Sequence, residues 1–296
     1  MTRAERMDQV SPAGSWEMVS REPHPALRRY VRRYVGYTER TSIPVPRVEF
    51  PGPQVVVIFE FGPPVSIFMR PDSPAAARYP GGFVAGIDDG PTVVAHDGYQ
   101  RGLQLDLTPI GAHRLFGLPM SDIARRVLPL ADVWPRNQHD LCDRLRDAPD
   151  WDVRFDLLDR IVGARAVDSY RATDAIEWAV ERIERSAGAV PMRTLARELG
   201  YSQKHVIQLF RDQVGVPPKL LARIIRFDRL VQHLRSGRAG SWADLALEVG
   251  YYDQAHLVRD VRQFTGLKPT NVRAMLLSFG AQPEVNSVQE GTSLTA

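Results

Sequence analysis

Two stretches in the C-terminal third of the chain repeat one another, and an internal repeat restricts a fold more than composition does. Leu195, Ala196, Glu198, Gly200 and Tyr201 in residues 194–218 match Leu245, Ala246, Glu248, Gly250 and Tyr251 in residues 244–269. After one inserted residue in the second turn, Gln203, His205, Arg211, Gly215 and Pro218 match Gln254, His256, Arg262, Gly266 and Pro269. Each copy reads as helix, tight turn, helix. Gly200 and Gly250 stand where a helix ends in a left-handed residue. Ser202 and Asp253 stand where the next helix needs an N-cap. Ala196 and Ala246 are small, as a close crossing of short helices requires.

Buried stripes follow from the same spacing: Val206, Leu209 and Phe210 in the first copy, Leu257 and Val261 in the second. What remains outward on the second helices is polar and basic, namely Lys204, Gln208 and Arg211, then Gln254, Arg259 and Arg262. That is the arrangement in which a second helix enters a DNA major groove. Charge agrees with it. The 296-residue chain has 38 Lys+Arg against 35 Asp+Glu, a net charge of only +3. Residues 171–278 alone hold 17 basic against 11 acidic residues, a surplus of six, and the rest of the chain is net negative. The basic surplus thus sits with the repeat, as phosphate binding requires.

The double unit resembles the DNA-binding domain of the AraC/XylS family of bacterial transcription regulators. The resemblance rests on Leu195-Ala196, Gly200-Tyr201-Ser202, Phe210, Gly215 and Pro218, then on Leu245-Ala246, Gly250-Tyr251, Asp253, Gly266 and the closing 268–273 segment. It covers about a third of the chain. It implies two subdomains joined by a long helix, here residues 219–235, with recognition helices reaching successive major-groove segments about 34 Å apart. By position it implies contacts to DNA from Ser202, Gln203, Lys204, Ile207, Gln208 and Arg211, and from Gln254, Ala255, His256, Arg259 and Arg262. Arg259 suits a bidentate contact to guanine, and Gln208 or Gln254 suits adenine. Val261 stands where the family usually has Phe, and Ala255 is short, so the second helix is expected to lean more on DNA shape. The resemblance further implies promoter DNA and RNA polymerase as partners, a role as activator, and an N-terminal part that senses an effector, forms a homodimer, or both.

Upstream of the repeat the pattern is that of strands. Residues 55–61 are β-branched and aromatic between Gly/Pro turns, residues 65–69, 83–87 and 92–95 follow, and residues 99–107 alternate Leu with polar groups. An antiparallel barrel or sandwich over residues 47–108 is expected, then helices over 109–165, including residues 110–116, 121–127 and 137–162. The fold class is therefore α+β. The expected divisions are a sensor or dimerisation domain over 1–165, the DNA-binding domain over 172–280 and a disordered tail over 281–296, with residues 137–162 a candidate dimer surface. Glu49, Glu60, Gln104 and Asp106 are polar groups beside apolar strand positions, and the strands also carry Phe59, Phe61 and Tyr99. Of these, Glu49, Phe59, Phe61, Tyr99 and Gln104 are the candidates for an effector pocket.

Several classes fall away. Cys142 is the one cysteine, so no intrachain disulfide and no Cys-based zinc site can form. His24, His96, His113, His139 and His233 are scattered without metal-ligand spacing, and no cofactor, metal or enzymatic activity is expected. No leader or membrane segment is visible, which points to a cytoplasmic protein without membrane contact. Two alternatives stand beside the regulator reading. One is a constitutive DNA-binding dimer without effector. The other is a cupin-like enzyme domain fused to a DNA-binding module, which would require a His/carboxylate triad on the strands.

Overall fold

β-Branched runs cut by Gly and Pro fold here into strands, and the computed structural model arranges them as two facing antiparallel sheets. It describes residues 4–11, 14–134, 138–168, 174–237, 240–278 and 287–289. The strands are β1 (Glu5–Ser11), β2 (Gly14–Arg21), β3 (Val31–Thr41), β4 (Val45–Glu49), β5 (Val55–Glu60), β6 (Ser66–Phe68), β7 (Gly82–Ala85), β8 (Thr92–His96), β9 (Tyr99–Leu107), β10 (Val127–Pro129) and β11 (Ser287–Gln289). Among the described residues one sheet runs β1-β2-β3-β9-β5-β7-β10 and the other β11-β4-β8-β6.

Strands therefore begin at Glu5, not near residue 47, and β1 to β3 supply three of the seven strands of the larger sheet. Residues 121–127 do not form the expected helix. A 3-10 turn at Met120–Asp122 leads into β10, which pairs with β7. Of the expected disordered tail over 281–296, residues 281–286 and 290–296 lie outside the described residues, and 287–289 pair with β4.

Eleven helices follow or flank the strands among the described residues. They are α1 (Pro109–Phe116), α2 (Leu130–Val133), α3 (Gln138–Asp147), α4 (Trp151–Asp168), α5 (Asp174–Arg185), α6 (Met192–Leu199), α7 (Gln203–Gln213), α8 (Pro218–Arg235), α9 (Trp242–Glu248), α10 (Gln254–Thr265) and α11 (Pro269–Ser278). Thr108 caps α1 through its side chain, and Pro109 fills the first helical position where no N–H is needed. One face of the larger sheet packs on α1, α2 and α4. Tyr34 stacks on Phe155 at 5.7 Å, and Phe59 meets Trp134 edge-on at 5.3 Å. Each such aromatic contributes roughly 1.5–3 kcal/mol on burial. At Gly36 a Cβ would stand 2.3 Å from the Trp151 ring, so only glycine lets α4 approach β3 this closely.

The apolar core continues from the sheet helices into the C-terminal helices. Phe50, beside β4, meets Phe227 of α8 edge-on at 6.1 Å, and Phe227 in turn packs on Phe264 of α10 at 5.2 Å. Ion pairs rim this seam. Arg29 and Arg114 (Nη2 at 3.0 Å) both donate to Glu177 of α5, and Arg32 donates to Glu184 at 2.6 Å.

Candidate nucleic-acid interface

The two repeats fold into two helix-turn-helix units of the same build. In the first, α6 ends at Gly200 with φ of 70°, and Ser202 accepts a hydrogen bond from the His205 amide at 3.2 Å to start α7. In the second, α9 runs out into Gly250 with φ of 94°, and Asp253 accepts from the His256 amide at 2.7 Å to start α10. Those cap bonds satisfy N–H groups that a helix start otherwise leaves open. Leu195, Ala196, Val206 and Phe210 are buried in one unit, and Leu245, Ala246, Leu257 and Val261 in the other. Helix α8 joins the units through a buried side that includes Leu221, Ile224, Phe227 and Leu230.

His205 and His256 share a packing role. Each ring stands edge-on to the tyrosine of its own turn, Tyr201 at 4.9 Å and Tyr251 at 5.1 Å, both at 86°. His256 is the more enclosed of the two. Burial lowers its pKa and favours the neutral imidazole, against the opposing pull of Asp260.

Ser202, Gln203, Lys204, Gln208 and Arg211 on the first unit are exposed, and Ile207 is half-buried. Gln254, Ala255, Arg259 and Arg262 on the second are exposed, and His256 is half-buried. The acid of α10 is turned away from this surface: Asp260 is buried and accepts from Arg223 of α8 at 2.7 Å, while Arg223 also donates to Gln263 at 2.6 Å. Arg226 reaches the Gly188 carbonyl at 2.6 Å and lies over the Tyr251 ring, which ties α8 to the second turn. Arginine and glutamine are thus left outward, with no carboxylate of α10 among them. Tyr252 was not among the candidates. It is the inserted residue of the second turn and is 85% exposed just before the Asp253 cap. The insertion itself was the available signal.

A cavity of about 190 Å³ lies between the two sheets. Val56, Ile58, Val65, Ile67, Phe83 and Val94 form its apolar wall, and Glu49 and Gln104 are among the polar groups that line it. Phe59, Phe61 and Tyr99 do not line it. Alternation along β5 and β9 turns them to the helix side of the larger sheet, where Phe59 meets Trp134, Phe61 lies beneath Arg154 and Tyr99 beneath Arg40. Tyr37, Glu39, Arg47 and Gln100 line the cavity instead. Burial pushes the Glu39 carboxyl up, but His96, Arg47 and Gln100 outweigh it and bring it down to about 2. Among the described residues no group of three His, Cys, Asp or Glu is placed to hold a metal ion, and no helix is long and apolar enough to cross a membrane.

Comparison with known proteins agrees with this geometry. Residues 195–275 match a family described as a helix-turn-helix domain, and residues 20–129 match a domain of unknown function. No curated protein matches the chain. Among solved structures, ToxT from Vibrio cholerae superposes with a TM-score of 0.50 at 8% identity, covering 81% of this chain and 98% of that one. ToxT with bound unsaturated fatty acid gives 0.48 at 10% identity, covering 88% and 100%. The AraC-like transcriptional activator CuxR gives 0.29 at 18% identity, covering 77% and 86%. The ToxT likeness extends over both the sheets and the helical region. Paired helix-turn-helix units on a linking helix, matched over residues 195–275 by that domain family, give the C-terminal part of the chain a helix-turn-helix DNA-binding domain similar to that of the AraC/XylS regulators.

Proposed function

We propose that the chain is a ligand-responsive transcription activator that reads promoter DNA through α7 and α10. In this reading Lys204, Gln208 and Arg211 face one major-groove segment, and Gln254, Arg259 and Arg262 face the next. Ser202, Gln203 and Tyr252 border the backbone at the turns. Ile207, Ala255 and His256 supply short apolar or shape contacts. The observation that carries the proposal is the duplicated cap–histidine–tyrosine geometry, which presents the same helix face twice while burying Asp260.

The inter-sheet cavity is the effector site of this reading, with Glu49 and Gln104 among its polar groups. The chain divides between 165 and 172 into a sensing and dimerising domain over 1–165 and a DNA-binding domain over 172–280. RNA polymerase is the downstream partner, and a homodimer the working form.

Binding-site selection with the full-length protein, followed by anisotropy titration of the selected sequences, tests the DNA side. A shared preferred site, bound at least a hundredfold tighter than random duplex, is the expected result. Equal affinity for all duplexes would overturn it. Transcription from that site in a purified system tests the activator role, and sedimentation of the free and DNA-bound protein tests the dimer.

A further inference from the structure

One side chain in the sheet domain has no visible reason to be where it is. Glu60, at the end of β5, is 2% exposed, and neither of its carboxyl oxygens has a hydrogen-bond partner. The large majority of buried side-chain polar atoms are paired, and among the described residues Glu60 is the one buried carboxyl with both oxygens unpaired, which calls for an explanation. Strand alternation puts Glu60 on the face of β5 that also carries Val56 and Ile58, both in the cavity wall.

Its surroundings are specific. In the ladder Gly102 of β9 lies between Glu60 of β5 and Tyr37 of β3. The Tyr37 hydroxyl fills the space above that glycine, 2.5 Å from where a Cβ would stand. Tyr37 lines the cavity, and Glu60, not itself a lining residue, stands across Gly102 from it on the cavity-facing side of β5. Two cations line the cavity, one paired with an acid and the other bonded to a backbone carbonyl. Arg47 donates to Glu39, and Arg126 donates to the Asp122 carbonyl at 2.9 Å. The lining acids are Glu17, Glu39, Glu49 and Asp88, of which Glu17 pairs with Arg6 and Asp88 with Arg70. Four acids against two arginines line the cavity, an excess of negative charge that favours a cation over an anion.

We propose that the cavity takes a small organic cation, an amine carried on an apolar body, whose charged head seats against Glu60 while Ile58, Val65, Ile67, Phe83 and Val94 hold the body. The assignment rests on the cavity being the effector site. The incoming ammonium supplies the counter-charge and the hydrogen bonds that Glu60 lacks. Tyr37 stands beside the head as a neutral phenol, since burial, and next the charge of Glu60, push its pKa well above the usual value. Burial alone pushes the Glu60 carboxyl up to about 8, so at neutral pH it starts protonated and must release that proton when an ammonium binds. The charged groups that act on Tyr37 are Glu60 of β5, Glu39 of β3, and Arg47 and Glu49 of β4, with His96 of β8 against Glu39.

The test uses the full-length protein and a panel of hexylamine, cyclohexylamine, benzylamine and 2-phenylethylamine, each beside its matched alcohol and carboxylate. Thermal shift and calorimetry are expected to show binding by at least one amine and none by its carboxylate. Calorimetry at pH 7 in two buffers of different ionisation heat should show about one proton released per amine bound. Glu60→Gln, nearly isosteric, should weaken the amine by about tenfold or more and abolish the proton release, with DNA affinity unchanged as the check on folding. Carboxylates binding as tightly as amines, undiminished amine affinity in Glu60→Gln, or no amine bound at all would overturn the proposal. Binding of an alcohol or carboxylate in place of the amine would leave the cavity an effector site and remove only the cation. Silence across the whole panel, with DNA binding intact, would remove the effector role of the cavity and spare the DNA reading.

Discussion

Asp260 shows how one buried acid shapes a surface it never reaches. Held by Arg223, it keeps a negative charge off the outer face of α10 and leaves Arg259 and Arg262 as the charges there. Arg259→Ala should cost about 1–3 kcal/mol on the preferred duplex and relax preference at one base position. Arg211→Ala should weaken all sequences alike and lower the salt slope by about one. Anisotropy titrations against salt separate the two. Glu60 gives a pH signature. Its folded pKa is about 8, above the usual carboxylate value, so the folded state keeps a proton that the unfolded chain sheds. That proton costs nothing near pH 4 and destabilises increasingly as pH rises toward 8. Glu60→Gln should therefore raise the melting temperature at pH 8 and leave it unchanged at pH 4. Sequence reading found the outward residues of the helices because a helix declares its faces every 3.6 residues. It took Phe59 and Phe61 as cavity candidates for a physical reason, whereas Tyr99 shares the phase of Leu103, Leu105 and Leu107 and its side was legible. Residues 55–59 of β5 are apolar on both faces, so no alternation says which side meets the cavity and which meets the helices.

The helix-turn-helix units were legible at the level of elements because everything that makes them is local: a glycine, a cap, a small residue, a stripe. Ser202→Ala and Asp253→Ala should each cost about 1 kcal/mol, readable as a lower midpoint in urea unfolding. Both should also weaken DNA binding, because the capped turn sets where the recognition helix begins. Strands β1 to β3 were illegible for the opposite reason. β1 is charged and largely exposed, and β3 carries Arg32, Arg33, Glu39 and Arg40 within its eleven residues. What makes them strands is pairing with partners far along the chain, such as β3 with β9, and such pairing leaves no periodic trace. The contact of α4 with β3 was equally hidden, since it hinges on Gly36 beneath Trp151. Gly36→Ala should force that ring off the sheet and cost about 1–3 kcal/mol, measured as a fall in the thermal midpoint.

Across the whole molecule, the sheet domain and the DNA-binding helices are joined by apolar packing and by ion pairs together. Glu177 is buried beneath Arg29 and Arg114, and Phe50 reaches from beside the cavity wall to Phe227. The pair of changes Arg29→Ala and Arg114→Ala should leave Glu177 uncompensated. Faster hydrogen exchange in α1 and α5 together is the expected readout. A core that continues through the seam also predicts one heat-unfolding transition, with strand and helix signals changing at the same temperature. Regulators are commonly rewired by exchanging whole sensing and DNA-binding halves. For this chain such an exchange would take Phe50 from the Phe227 ring and leave Glu177 without Arg29 and Arg114. A working chimera would have to carry Arg29, Phe50 and Arg114 with their partners, so the transplantable unit is the seam and not the domain.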